Sequence, residues 1–376
     1  MTLVEAESPR ALPADSTSAI AARGWGVLAA IAPFAVALAV GAVVLWATGL
    51  QPLSVYALMA REAAGSTDRL AATLSSATPL LFTGLATALA FRTGVFNVGV
   101  EGSFIAGGLA AAVVGAAATT LPGPVLILLA MLAGALAGAS VAFGPGLLRA
   151  RWGVDEVVTT LMCNFVLAGV AAWLVNGYLL APGVANSATR LVAPQARLAR
   201  LLPPSSVHLG LVIALVVIVI YAVSLRFTSL GLELRLTGQN PQFTAAQGIR
   251  VGRVILIAML ASGAIGGLGG ATHALGALGR YVAGFSPGYG YMGIAVALLG
   301  RNRAVGIVLA ALLFGALASS GAAVQLFSDI PLSIVDILQG VVMIFAVAEL
   351  VRRTRGRRVR ASPSEPVGGD HEVVAR

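Results

Sequence analysis

The sequence predicts an all-α protein, a polytopic transmembrane helical bundle of about ten spans with both termini cytoplasmic. Three observations predict it. Of the 376 residues, 58% are hydrophobic and 10% charged, with a mean hydropathy of +0.92. A soluble core of this length cannot hide so much apolar side chain. The apolar residues fall in runs that approach or exceed the ~20 residues needed to cross a bilayer. The arginines divide unevenly between the segments that join those runs.

Residues 1–26 are polar and read as a disordered cytoplasmic N-terminus. The membrane domain covers 27–351. Its first span, 27–48, is longer than a signal-peptide core and has no convincing small-residue cleavage site, so it is read as retained. Further spans are expected at 74–91, 95–118, 124–148, 154–180, 207–225, 254–276, 304–327 and 331–350. The segment 288–300 is too short to cross alone and reads as a broken or re-entrant span sheltered inside the bundle. Residues 352–376 form an arginine-rich cytoplasmic tail, solvated and in touch with lipid. With the N-terminus inside, 18 arginines fall on inner segments and 6 on outer ones, and without the tail the division is still 11 to 6. The net charge of +9 is therefore an orientation signal, with no nucleic acid needed to explain it.

One loop stands out. Between two strongly apolar spans lies a polar, arginine-bearing stretch, 226–253. Within it Asn240-Pro241 is helix-start chemistry and Gly248 is a stop. A short polar helix at the membrane face suits docking to a soluble partner.

Absences exclude several chemistries. There is no lysine, so a Walker A loop and Schiff-base chemistry are both impossible. Cys163 is the single cysteine, which rules out an internal disulfide and a cysteine-based metal cluster. His208, His273 and His371 have no ligand spacing. No catalytic residue and no metal site is expected.

Polar groups inside spans are the remaining functional candidates, because lipid tolerates them poorly. Asn97 and Glu101 stand four residues apart and share a face if 95–118 is helical there, although Gly94, Gly99 and Gly102 allow a break. Asp155 and Glu156 open a span, where acids favour the helix dipole. Asn164 lies eight residues beyond Glu156 on a similar face, and Asp336 lies in the last span. The glycine cluster at 263–279 suits close helix packing in lipid, or a moving helix that lines a pathway. Glu101 and Asp336 alone leave open a proton-coupled carrier or a membrane enzyme.

Four segments carry a family resemblance: ATPLLFTGLATALAFRTGVFNVGVEG (77–102), GVDEVVTTLMCNF (153–165), RLTGQNPQFTAAQGI (235–249) and GYMGIAVALLGRN (290–302). Over about 27–350 the chain resembles the permease subunit of an ATP-binding-cassette importer, in the branch serving simple sugars, nucleosides and branched-chain amino acids. It is most similar to the nucleoside and simple-sugar permeases. The resemblance implies that 235–249 is a coupling helix seated in a groove of the ATPase, with Arg235, Gly238, Asn240, Pro241, Gly248 and Ile249 on the family pattern. Gln239, Phe243-Thr244, Ser103 and Asp155 depart from it. The resemblance implies that Asn97, Glu101 and Asn164 lie near the translocation pathway, and Glu156 is a candidate beside them.

The implied partners are a cytoplasmic ABC ATPase, a second permease subunit, alike or similar, an extracytoplasmic solute-binding protein and the lipid bilayer. ATP and magnesium belong to the ATPase, and no cofactor is expected on this chain. The implied location is the plasma membrane of a prokaryote, the cargo a nucleoside, and a ribose- or galactose-type sugar the alternative.

Overall fold

The computed structural model describes residues 38–327, apart from 118, 119, 185 and 204, together with positions 36, 337, 339–341 and 344. Asp336, His371, most of the 331–350 span and both tails lie outside the described residues.

Helices follow from capping as much as from apolar runs. Helix α1 (Leu38–Ala47) is short. Helix α2 (Pro52–Ala64) starts with proline in its first turn. It was not expected from the sequence, because it is only moderately apolar. It packs Val55 and Met59 against Leu45 of α1 and Leu317. Helix α3 (Thr67–Arg92) is capped by Ser66, whose hydroxyl accepts from Arg69 N–H at 3.2 Å. It begins seven residues before the expected span.

Helix α4 (Val100–Ala117) is followed by α5 (Gly123–Trp152), which ends on left-handed Gly153. Asp155 caps α6 (Glu156–Leu174), accepting from Val157 and Val158 N–H. A π-helical turn, Val175–Leu179, extends α6. Helices α7 (Gly210–Phe227), α8 (Ser229–Gln239), α9 (Pro241–Ala246) and α10 (Val251–Thr272) follow. The last two are α11 (Tyr289–Leu299) and α12 (Ala304–Phe327). Seven of the described helices are long and apolar enough to cross a membrane. Helix α11, with 11 residues, occupies the segment expected to be too short to cross alone.

Helix α3 is the axis of the bundle and is buried continuously from Ala77 to Ala90. It packs on α10, α11 and α12, while α10 packs on α4 and α5. The glycines make those crossings possible. Gly263 and Gly267 of α10 face Gly138 and Gly134 of α5, and Gly107 of α4 meets Gly267. A Cβ at Gly107, Gly138, Gly263 or Gly267 would overlap backbone, and one at Gly134 would overlap the Ala271 Cβ, as small-xxx-small packing requires. Packing thus accounts for most of the 263–279 cluster. Helices α6 and α7 lie at the periphery and leave many apolar side chains exposed.

Candidate functional site

The chain between α3 and α4 is not helical. Residues 93–99 form a turn-rich break with Gly94 at φ +75°. This corrects the conditional expectation that Asn97 and Glu101 share a helical face. Asn97 lies in the break, and Glu101 lies in the first turn of α4.

Buried backbone outside a helix needs partners, and side chains of α6 supply them. Glu156, Thr160 and Asn164, spaced one helical turn apart, form a polar stripe. Glu156 Oε1 accepts from Phe96 N–H (3.1 Å), Thr160 Oγ1 from Val98 N–H (3.2 Å) and Asn164 Oδ1 from Gly102 N–H (2.9 Å). Asn164 Nδ2 donates to Val98 C=O (3.0 Å) and to Tyr291 Oη (3.2 Å). Glu156 also pairs with Arg149 (3.1 Å). Asn97 closes the turn by accepting from Gly99 N–H, and it donates to Ser262 Oγ (2.9 Å), which in turn donates to Ala86 C=O. Asn97, Glu101, Glu156 and Asn164 are all buried. The structure brings Asn97, Glu156 and Asn164 to the break at 93–99, and Glu101 stands at its α4 edge.

Glu101 reaches the second break. Residues 279–288 run as irregular chain between α10 and α11, with left-handed Gly279, Gly284 and Gly288. The Glu101 carboxylate accepts from Gly290 N–H at 2.6 Å, at the start of α11. Ser286 and the Gly288 backbone lie beside it. A carboxyl oxygen is well placed at a helix N-terminus, whose first N–H groups have no intrahelical partner.

Glu101 and Gly290 are 189 positions apart, and so are the starts of α4 at Val100 and α11 at Tyr289. The same offset aligns Phe96-x-x-Gly99…Ile105-Ala106-x-x-Leu109 with Phe285-x-x-Gly288…Ile294-Ala295-x-x-Leu298. The stretches 96–109 and 285–298 therefore repeat one pattern about a break. The helices that lead into them, α3 and α10, run antiparallel, with Gly269 beside Phe82 and Ser262 bonded to Ala86 C=O, so the two units are inverted relative to each other.

A third cluster lies at the end of the bundle that carries Arg92, Arg149 and Arg303. Asn302 C=O receives Arg92 Nη2–H (2.8 Å), Arg92 Nε–H (3.2 Å) and Tyr221 Oη–H (2.9 Å). Arg301 and Asn302 are both left-handed without being glycine, at φ 54° and 53°. Two such residues in succession are held by their surroundings. Gly238, in the last turn of α8, rests on the Arg92 carbonyl and on Gly94.

Helix α9 projects beside this cluster. Asn240 Oδ1 accepts from Phe243 N–H (2.9 Å), Pro241 opens the helix, and Gly248 at φ +80° ends it. The start and stop are those expected from the sequence. Thr244 is its buried anchor, and Phe243 at the tip is 52% exposed. Ile249 tucks against the core, and Arg235 Nε donates to Gly231 C=O within α8. A cleft of about 430 Å³ lined by Glu233, Gly248, Arg250 and Arg253 adjoins α9.

Sequence reasoning missed Thr160, Ser262 and Ser286, and it missed the bonds to Asn302. Thr160 was legible as the middle member of the Glu156/Asn164 stripe. The internal repeat left only a faint trace, a Phe-x-x-Gly pair at 96–99 and 285–288. His273 packs among Phe104, Phe285 and Tyr289, at ring distances of 5.8, 5.3 and 5.4 Å, as expected of a packed histidine. Among the described residues, no group of three or more His, Cys, Asp or Glu side chains could hold a metal ion.

Residues 69–347 match the family described as branched-chain amino acid transport system / permease component. Among curated proteins, the chain is similar to the glucose ABC transporter permease protein TsgB13 of Haloferax volcanii, at 35% identity over 95% of this chain and 97% of that protein. It is 35% identical to the guanosine ABC transporter permease protein NupP of Bacillus subtilis, over 84% of this chain and 91% of that one. It is 29% identical to the nucleoside ABC transporter permease protein NupB of Lactococcus lactis, over 88% and 94%. No solved structure matches.

Proposed function

This chain belongs to the branched-chain amino acid transport system / permease component family, and from that membership we propose that it is the membrane-spanning subunit of an importer whose cargo is a nucleoside, with a simple sugar as the second reading. It is a multi-pass membrane protein and an ABC transporter permease subunit. ATP hydrolysis is assigned to a separate cytoplasmic ATPase, and solute delivery to an extracytoplasmic binding protein. A second permease subunit completes the pathway in a prokaryotic plasma membrane. The arginine-rich end is taken as the cytoplasmic face.

The observation that carries the choice of cargo is Glu101. A half-helix starting inside a bundle offers its N-terminus to an anionic solute group, such as an amino acid's carboxylate. Here that place at α11 is filled by the chain's own carboxylate. A neutral, ring-bearing solute fits this arrangement better than a zwitterion. The named cargoes of NupP, NupB and TsgB13 support the same class.

Coupling is assigned to α8 and α9, with Arg235, Gly238, Asn240, Pro241, Gly248 and Ile249 shaping the loop and Phe243 as the tip that enters the ATPase groove. Motion of α9 reaches the break at 93–99 through the Gly238–Arg92–Gly94 contact. From there the stripe of Glu156, Thr160 and Asn164, with Asn97 and Glu101, frames the pathway and sets its two positions.

The test is uptake of labelled guanosine in cells with and without the gene. Gene-dependent uptake that nucleosides block and leucine does not is the expected result. No gene-dependent uptake of guanosine or ribose would overturn the assignment. Glu101→Gln keeps an acceptor for Gly290 N–H but replaces the second carboxyl oxygen by an amide that can only donate. The variant is expected to reach the membrane at normal levels and take up solute several-fold more slowly. Unchanged uptake would remove Glu101 from the pathway's working parts.

A further inference from the structure

A cavity of about 240 Å³ opens beside the second break, and nothing in the coupling scheme uses it. Ser286, which accepts from Tyr289 N–H at 3.1 Å and lies beside Glu101, forms one wall. Ile105 of α4 stands one turn above Glu101 on the same face and forms the adjoining wall. The Tyr281 and Phe285 rings stack on each other, with centroids 4.6 Å apart and planes at 19°. On the facing side Ser187 donates to Asn176 Oδ1 (2.6 Å), which leaves the Asn176 amide hydrogens to donate elsewhere. Ala168 and Ala172, one turn apart on α6, keep the space open.

We propose that this cavity is a transient solute-binding station on the translocation route, taking one neutral polyhydroxylated or heteroaromatic ring. The proposal rests on the permease reading above and deepens it. The chemistry of the walls argues the ligand class. Aromatic edges and uncharged donors and acceptors suit a sugar or nucleobase ring. No arginine and no carboxylate lines the space, so it has no counter-charge for a phosphate or an amino acid. Size argues the occupancy. The volume lies just under the ~300–1,000 Å³ of ordinary small-molecule sites, so it holds one ring of a nucleoside and leaves the other outside. Location argues the role. The mouth at Ala283 and Gly284 is exposed, the cavity adjoins the exposed apolar face of α6, and its walls at Ile105 and Ser286 flank the break that Glu101 spans by its bond to Gly290.

The experiment uses the complete transporter in membrane vesicles. Ala172 is exposed, so Ala172→Trp fills the cavity without disturbing the core. It is expected to cut guanosine uptake at least ten-fold at normal membrane level. Val166→Trp, on an exposed part of the same helix outside the cavity, is expected to transport nearly as wild type. Asn176→Ala is expected to raise KM several-fold with kcat little changed. Wild-type transport by Ala172→Trp, or equal loss in Val166→Trp, would overturn the proposal.

If Ala172→Trp does not assemble, Ala283→Cys in a Cys163→Ala background decides. Saturating guanosine or ribose is expected to slow its alkylation at least three-fold and leucine is not, and absence of protection by either ring compound overturns the station. Loss of gene-dependent uptake in wild type would instead strike the permease assignment itself.

Discussion

Gly238→Val is expected to reduce solute uptake at least ten-fold while the subunit still inserts. The reason is a backbone contact with no give. Gly238 lies against the Arg92 carbonyl and the Gly94 amide, so a side chain there overlaps main chain and not a flexible tip. Overpacking of this kind costs ~1–3 kcal/mol and is relieved by moving a whole element. The element displaced is α8, which carries Gly238 and is anchored by Leu234 in the core, and α9 goes with it. The same contact sits beside the Arg92 bonds to Asn302, so the displacement reaches the α11–α12 corner as well. Initial uptake, membrane level and solute-stimulated ATP hydrolysis in vesicles measure the effect. Normal uptake by Gly238→Val would remove this contact from the coupling route.

Asn164→Leu is expected to act on folding. The side chain removed satisfies Gly102 N–H and Val98 C=O, both in the interior, and also meets Tyr291. Each buried backbone group left unpaired costs ~1–3 kcal/mol, so the pair amounts to ~2–6 kcal/mol. Native proteins are stable by only ~5–15 kcal/mol. The variant is therefore expected to accumulate poorly in the membrane and to melt several degrees lower in detergent. Thr160→Val, which loses one bond to Val98 N–H, should show a smaller fall. A melting temperature unchanged in Asn164→Leu would mean that water or a shifted helix replaces the bonds at little cost.

The parts of the site that were legible in the sequence are those governed by local chemistry. Asn240, Pro241 and Gly248 announce a short helix because capping, a preset φ and a left-handed stop act within a few residues. Asp155 announces a helix start in the same way. The shortness of α11 was legible because 11 apolar residues cannot cross a bilayer. The position of the first break was not. Gly94 and Gly99 permit it, but it is fixed by Glu156, Thr160 and Asn164, about 60 positions along the chain. The bonds to Asn302 converge on a backbone oxygen, which no side-chain pattern advertises. Helix α2 was missed because its stability comes from docking on α12 more than from its own hydropathy. The repeat escaped notice because a few identities are faint among so many alanines and glycines.

The bond between Glu101 and Gly290 has a mechanical meaning. In a pair of inverted repeats, a contact between equivalent residues lies at the axis that relates them. Two levers joined at such a fulcrum cannot move alike at both ends: where the arms approach on one side, they part on the other. A push of a few ångströms at the arginine-rich end would then widen the opposite mouth, with no signal carried along the length of any helix. Opening and closing become a single degree of freedom seen from two sides.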